Sequence, residues 1–287
     1  KGQPQVLQQR AAVANWDAQR LPGPYVMPMA INEAIQMAKQ AGTGTITVRR
    51  SQHIASLAAY LSLATEQGMM VSLMCSTPGQ RAVAPFGAKQ AVYSPNPFAV
   101  GVPSSGDPIL LDISLSMTAA GKVRQAKANQ QKLPYNALVT AQGEWTDDPE
   151  TFFSEPGSAI GPLGGELLGY KGYGLTLFSE LWTMALAQYG RNQGKDEGDA
   201  NCVWVQVIDP SAFGEQKAFI TQVDELIRDT LAAKPIAADN PVRIPGHQAL
   251  ARKRQQLEKG VRYAPATLKV LRKCAEFCQQ PLPTALS

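Results

Sequence analysis

Apolar residues recur at helical spacing over residues 29–40 (Met29, Ile31, Ala34, Ile35, Met37, Ala38), which predicts a helix with one buried stripe. Gly42 and Gly44 end that run, and the β-branched residues over 45–48 then predict a strand. A second helix is predicted over 54–67 with Gly68 at its C-cap, followed by an apolar strand over 69–75. Helix, strand, helix, strand in the opening quarter indicates a mixed α/β or α+β class. Further along, short strands are predicted over 98–102 and 109–113, separated by the turn-forming run Pro103-Ser104-Ser105-Gly106-Asp107-Pro108. Residues 118–128 read as helical. The stretch 133–161 reads as irregular, broken by Gly143, Pro149, Pro156 and Gly157. A strongly apolar helix over 175–189 is expected to be buried on most sides. A strand over 203–208, a helix over 219–233 and a mostly helical tail from 248 complete the pattern.

Composition narrows the class. With 287 residues, 44% hydrophobic and 17% charged, the chain has the make-up of a globular protein with a substantial core. No apolar run approaches the roughly 20 residues needed to cross a bilayer, and residues 1–20 lack a continuous apolar signal core, so the cytoplasm is the expected compartment. Cys75 and Cys202 sit in apolar runs, while Cys274 and Cys278 share a helix face without a second ligand pair; neither a disulfide framework nor a metal site is indicated. The net charge is +4, but the segment from Arg243 onward carries +7 and the remainder −3. In that basic tail only Tyr263 and Phe277 are aromatic, too few to stack bases, so it reads as a solvated helix face and a nucleic-acid partner is not expected.

Candidate chemistry begins with the two histidines. His53 falls between a predicted strand and a predicted helix, where functional side chains collect, and an imidazole suits proton transfer near neutral pH. His247 occupies a turn. The second feature is a glycine-dense stretch, Gly161-Pro162-Leu163-Gly164-Gly165 and Gly169-Tyr170-Lys171-Gly172-Tyr173-Gly174, read as a loop before the 175–189 helix that could approach an anion, with Lys171 adding charge. It is not a Walker A sequence, and no G-x-G-x-x-G joins a strand to a helix, so a Rossmann site is not supported. The third is Leu111-Asp112-Ile113-Ser114-Leu115-Ser116-Met117, a carboxylate and two hydroxyls at a strand end.

Taken in order, these blocks resemble the malate/L-lactate dehydrogenase family of non-Rossmann oxidoreductases. The resemblance runs from about Ala14 to Tyr263. It rests on Ser51-Gln52-His53, Pro95-Asn96-Pro97 with Gly101 and Pro103, and Leu111-Asp112-Ile113-Ser114 followed by Gly121-Lys122. Pro162-Leu163-Gly164-Gly165 with Gly169-Tyr170-Lys171-Gly172, Ile208-Asp209-Pro210 and Pro245-Gly246 extend it.

The resemblance implies an α+β fold, with a mixed, largely antiparallel sheet flanked by helices and a non-Rossmann cofactor site. It implies a central domain over 14–235, with 1–13 and 236–287 forming a mostly helical terminal region, and a homodimer. The implied activity is hydride transfer between NAD or NADP and a 2-oxo/2-hydroxy acid or a cyclic 2-imino acid, with His53 in acid/base catalysis. Asp112, Ile113, Ser114, Ser116, Met117, Tyr170, Lys171, Gly246 and His247 match cofactor contacts. Candidate substrate-binding residues are Arg49, Ser51 and Lys122, with Arg50 beside them. Family members usually open with helices carrying a Ser-His-Gly motif, to which some assign the proton donor; the given sequence does not contain that motif. The competing readings are a non-catalytic family member serving as a structural or binding subunit, and a pyridoxal-phosphate enzyme using Lys171.

Overall fold

The computed structural model describes residues 2–194 and 198–282. Its strands are, in chain order, β1 (Gln5–Gln9), β2 (Val13–Asp17), β3 (Thr43–Ser51), β4 (Met70–Ser76), β5 (Phe98–Val102), β6 (Ile109–Ile113), β7 (Leu138–Val139), β8 (Trp145–Thr146), β9 (Ala159–Ile160) and β10 (Asn201–Ile208). The helices are α1 (Gly23–Ala41), α2 (Ala58–Thr65), α3 (Ala120–Ala128), α4 (Gly165–Glu180), α5 (Arg191–Gly194), α6 (Gln216–Ala232), α7 (His247–Lys259) and α8 (Pro265–Cys278). The main sheet has seven strands in the order β1-β2-β3-β10-β4-β5-β6, antiparallel throughout except for the β2–β3 pair. The chain is therefore α+β with a mostly antiparallel sheet flanked by helices.

At the centre of the sheet stands β10. It pairs with β3 on one side and β4 on the other, and Val203, Val205 and Val207 are buried with Ile46, Val48, Val71 and Leu73. Helix α1 covers that layer. Pro24 pre-sets the backbone of its first turn, and Gly42, at φ 79°, closes its last turn by donating to the Ala38 carbonyl. Its stripe of Val26, Ile31, Ala34, Ile35 and Ala38 is buried. Helix and sheet approach so closely that a Cβ on Gly44 would lie 2.1 Å from the Ala34 carbonyl oxygen.

Three expectations are corrected. Residues 1–13, placed with a mostly helical terminal region, contain β1, because β1 pairs with β2, which in turn lies beside β3, partners that one sequence window cannot display. Residues 133–161 contain a small antiparallel sheet, β8-β7-β9, whose two-residue strands are too short to show alternation. The apolar helix begins at Gly165 and passes into a π-helical segment at Leu181–Ala185. Rather than being buried on most sides it exposes Leu167, Leu175, Phe178, Leu181 and Leu186.

The chain divides into a compact unit over Lys1–Gly246 and a second over His247–Ser287 that contains α7 and α8. No helix of the described residues is long and apolar enough to cross a membrane. A Gly44→Ala substitution should overpack the contact between α1 and β3 and destabilise the fold by about 3 kcal/mol. The expected readout is a lower urea midpoint with an unchanged slope.

Candidate active site

Between β3 and α2 the chain leaves regular structure and carries His53. Arg50 (φ 57°) and Ala55 (φ 58°) both take the left-handed conformation without being glycine, a strain that needs support from neighbours. That support is dense. The Gln52 N–H donates to the Leu21 carbonyl at 3.0 Å, the Ile54 N–H to Asn201 Oδ1 at 3.2 Å, and the Tyr60 hydroxyl to the Ile54 carbonyl at 2.6 Å. Gly23 makes room at the start of α1, where a Cβ would lie 2.6 Å from the His53 carbonyl oxygen. The Ala55 N–H donates to His53 Nδ1 at 3.1 Å, so the neutral ring carries its hydrogen on Nε2.

His53 lines a cavity of about 480 Å³. Thr77 and Cys75 contribute from the end of β4, Ser94 from the approach to β5, Ser114 from the exit of β6, Arg124 from α3, and Asp199 and Asn201 from the start of β10. Burial, with the nearby Cys202, pushes the Cys75 thiol far above its ordinary value, so it forms an apolar wall and not a nucleophile. Behind the wall lies a half-buried ion pair, Arg191 Nη2 to Glu180 Oε1 at 2.7 Å. Burial raises the Glu180 pKa, against the opposing pull of Arg191 and the Asn96 amide.

Of the catalytic, cofactor and substrate candidates named from the sequence, His53 and Ser114 meet in this cavity. The segment around Ser114 is a strap. Asp112 Oδ2 accepts from the Ser56 hydroxyl at 2.9 Å and from the Ala58 N–H at 2.8 Å, so its carboxylate caps the start of α2. Ile113 ends β6. Ser116 is buried with its hydroxyl on the Thr118 carbonyl, and the Met117 N–H donates to the Gly161 carbonyl at 2.9 Å. The strap thus leads from the His53 cavity to the start of α4, where Met117 lies against Gly165.

The stretch from Gly169 to Gly174, read as a loop, lies inside α4. Its glycines serve packing: a Cβ on Gly172 would lie 2.3 Å from the Leu163 carbonyl oxygen, and one on Gly169 2.9 Å from Pro162. Tyr170 meets the Phe86 ring edge-on at 6.0 Å, and Lys171 Nζ sits 5.9 Å from the Tyr170 ring centre. Gly246 (φ 92°) ends the first unit against Leu110 of β6, whose N–H donates to the Pro245 carbonyl at 2.9 Å. His247 opens α7 in the second unit.

Arg49, Ser51 and Lys122 do not line the His53 cavity. Arg49 Nε and Arg50 Nη1 bind the buried Asp17 carboxylate at 3.0 and 3.2 Å. Ser51 is buried and donates to the Gln52 carbonyl. Lys122 lines a separate cleft with Tyr135. Arg124, two positions on and therefore about 200° around α3, faces the cavity instead. Among the described residues no acidic side chain forms an ion pair with it. Helical periodicity could have found Arg124, since Ala120 and Gly121 share its face. Asn201, far away in sequence, left no such signal.

A sequence model described as malate/L-lactate dehydrogenase matches residues 1–272. The chain belongs to that family. A malate dehydrogenase of Pyrococcus horikoshii is 28% identical over 256 residues, covering 86% of this chain and 69% of that protein. The crystal structure of malate dehydrogenase from Entamoeba histolytica superposes with a TM-score of 0.90 at 19% identity, over 98% of this chain and 81% of that one, and shows the shared fold. The Δ1-piperideine-2-carboxylate reductase of Pseudomonas syringae superposes with a TM-score of 0.81 at 27% identity, over 95% of this chain and 80% of that one. This member of the family spans 56% to 69% of the length of the malate and sulfolactate dehydrogenases it matches.

Asp17 anchors the end of β3 from which the His53 loop departs. Burial opposes its ionisation, but the Gln19 N–H, Arg49 and Arg50 outweigh it and hold the carboxyl below its ordinary value. The stability this confers is present above the unfolded-state pKa of about 3.9 and disappears as pH falls through the lower folded-state value. Asp17→Asn should therefore destabilise the fold by about 2 kcal/mol at neutral pH. In paired urea titrations the gap from the parent chain should close below about pH 4.

Proposed function

We propose that the cavity is the reaction centre of a nicotinamide-dependent oxidoreductase acting on a 2-oxo/2-hydroxy acid or a cyclic 2-imino acid, with His53 as the proton-handling residue. The observation that supports this best is one cavity lined both by His53, whose Nδ1 accepts from Ala55, and by the Arg124 guanidinium, which pairs with no acid among the described residues. A cation and a proton donor in one pocket are what a 2-oxo acid needs, one for its carboxylate and one for its reducible carbonyl.

The residues present fit a nicotinamide dinucleotide. Gln80 and Ser114 offer amide and hydroxyl partners for a carboxamide in the His53 cavity. At the start of α4, Gly164 (φ 100°) is the N-cap and the Gly165 N–H is held by the Pro162 carbonyl, while no side-chain cap covers the Glu166 and Leu167 N–H groups, which a phosphate could approach. Tyr170 and Lys171 are the further contacts carried by that helix. When bound, the nicotinamide supplies or accepts the hydride. NADP and NAD both suit this reading.

Within the pocket, Arg124 orients the substrate carboxylate, and His53 Nε2 donates a hydrogen bond to the carbonyl oxygen. Full proton donation from the imidazolium leaves the hydrogen on Nδ1, facing the Ala55 N–H. Transfer is therefore coupled to opening that one hydrogen bond, a cost of about 1 kcal/mol. The exposed apolar face of α4, with Leu167 84% and Phe178 54% exposed, supports a homodimer in which a second copy covers it.

His53→Ala should lower turnover by about 10²- to 10⁴-fold, the usual contribution of a general acid, and leave NAD(P)H affinity nearly intact. Arg124→Ala should raise KM for the 2-oxo acid by roughly ten- to a hundredfold, the worth of a charge-assisted hydrogen bond. NADH and NADPH oxidation against 2-oxo acids and cyclic imino acids, with nicotinamide fluorescence titration for binding, checks both; undiminished turnover in His53→Ala would sink the acid/base role.

A further inference from the structure

The His53 loop is tied to the neighbouring strand by a buried side chain, Asn201, at the first position of β10 and opposite Ser51. Its Oδ1 accepts from the Ile54 N–H at 3.2 Å, and its Nδ2 donates to Thr77 Oγ1 at 2.8 Å. The amide cannot flip, because a backbone N–H can only donate. Thr77 continues the chain of bonds: its N–H donates to Ser94 Oγ at 3.0 Å, and the Ser94 hydroxyl donates to Asn96 Oδ1. Asn96 Nδ2 then reaches Glu180 Oε1 at 2.8 Å, the oxygen that also accepts from Arg191. Arg191 Nη1 ends the series on the Pro78 and Gln80 carbonyls, each at 3.2 Å. Asn201, Thr77, Ser94 and Asn96 are all buried.

We propose that Asn201 is the positioning residue for His53, and that this buried network transmits the rigidity of the Glu180–Arg191 pair to the imidazole. The proposal rests on the reading of His53 as the proton-handling residue. Ile54 follows His53 directly, and its N–H is held by Asn201 while its carbonyl is held by Tyr60. With Ile54 fixed at both ends, Ala55 is kept at φ 58°, the conformation that turns its N–H onto His53 Nδ1 and so sets the placement and tautomer of the resting ring, the bond opening only when Nδ1 takes up a proton. Without Asn201 a buried N–H and a buried hydroxyl lose their partners, and the strained turn loses its support. A structural hydrogen bond elsewhere in the core would affect stability alone. This one is linked through Ile54 and Ala55 to Nδ1 of the His53 ring. The other titratable groups lining the cavity with His53 are Arg124 from α3, Asp199 before β10 and Cys75 of β4.

Two readouts test it, one catalytic and one not. Asn201→Ala should lower kcat about a hundredfold, the cost of misplacing a catalytic group by about 1 Å, with KM for NAD(P)H nearly unchanged. Asn201→Asp should recover most of that loss, since its carboxylate accepts from both Ile54 and a rotated Thr77 hydroxyl. It should also move the pH limb assigned to His53 upward, because the added negative charge favours the imidazolium. Tyr60→Phe, which keeps the ring and removes only the hydroxyl that holds the Ile54 carbonyl, should give a smaller loss of kcat in the same direction and guards against misfolding of the Asn201 variants.

Because the chain has only two histidines, ¹⁵N imidazole shifts report His53 directly, with His53→Ala identifying its signals. The parent chain should show the Nε2–H tautomer, and Asn201→Ala a mixture of both. Unchanged kcat and tautomer in a folded Asn201→Ala chain would overturn the proposal, as would a loss of cofactor affinity matching the loss of kcat. If the parent chain oxidised no NAD(P)H with any substrate, the proposed function would fail, and the tautomer measurement would still decide the positioning role.

Discussion

The structure depends on the burial of β10 between β3 and β4. This strand comes from the last third of the chain, yet it is the partner both early strands need for their backbone hydrogen bonds and their valine and isoleucine side chains. Its insertion also sets the chemistry. The register that pairs Asn201 with Ser51 and Cys202 with Ser76 brings the start of β10 to the end of β3, where the His53 loop leaves the sheet, and to the end of β4, where Thr77 begins the opposite wall. The two antiparallel pairings of β10 thus stabilise the core and assemble the cavity.

Polar groups around that cavity sort by the work they do. Asp112, Asp17 and Asn201 look interchangeable as hydrogen-bonding residues in a sequence, but each serves a different element. Asp112 caps α2, Asp17 neutralises Arg49 and Arg50 at the end of β3, and Asn201 secures the backbone beside His53. The arginines nearest His53 in sequence are thereby committed to a structural carboxylate. The cation left facing the cavity is Arg124, delivered from α3.

The glycines of α4 carry a related lesson. Dense glycine before an apolar run suggests a flexible anion-binding loop, because permissive backbone and a helix N-terminus favour that use. Here Gly169 and Gly172 lie within the helix and let it settle onto Pro162 and Leu163. This seat also turns the leucines and phenylalanine of the same helix outward, into an apolar face that the described residues leave uncovered.

Local periodicity determined a good deal of this protein. The stripe of α1, the positions of β5 and β6, and the location of His53 between a strand and a helix all follow from residues within a few positions of one another, where helix and strand periods operate. The ordered short blocks carried the family. Tertiary structure alone decided the pairing of β2 with β3, the placing of Asn201 beside His53 across the sequence, the commitment of Arg49 and Arg50 to Asp17, and the exposure of α4. Each of these is a contact between segments distant in the chain, and a linear pattern records which residues can form a hydrogen bond or bury a side chain, not which distant partner the fold will bring to them.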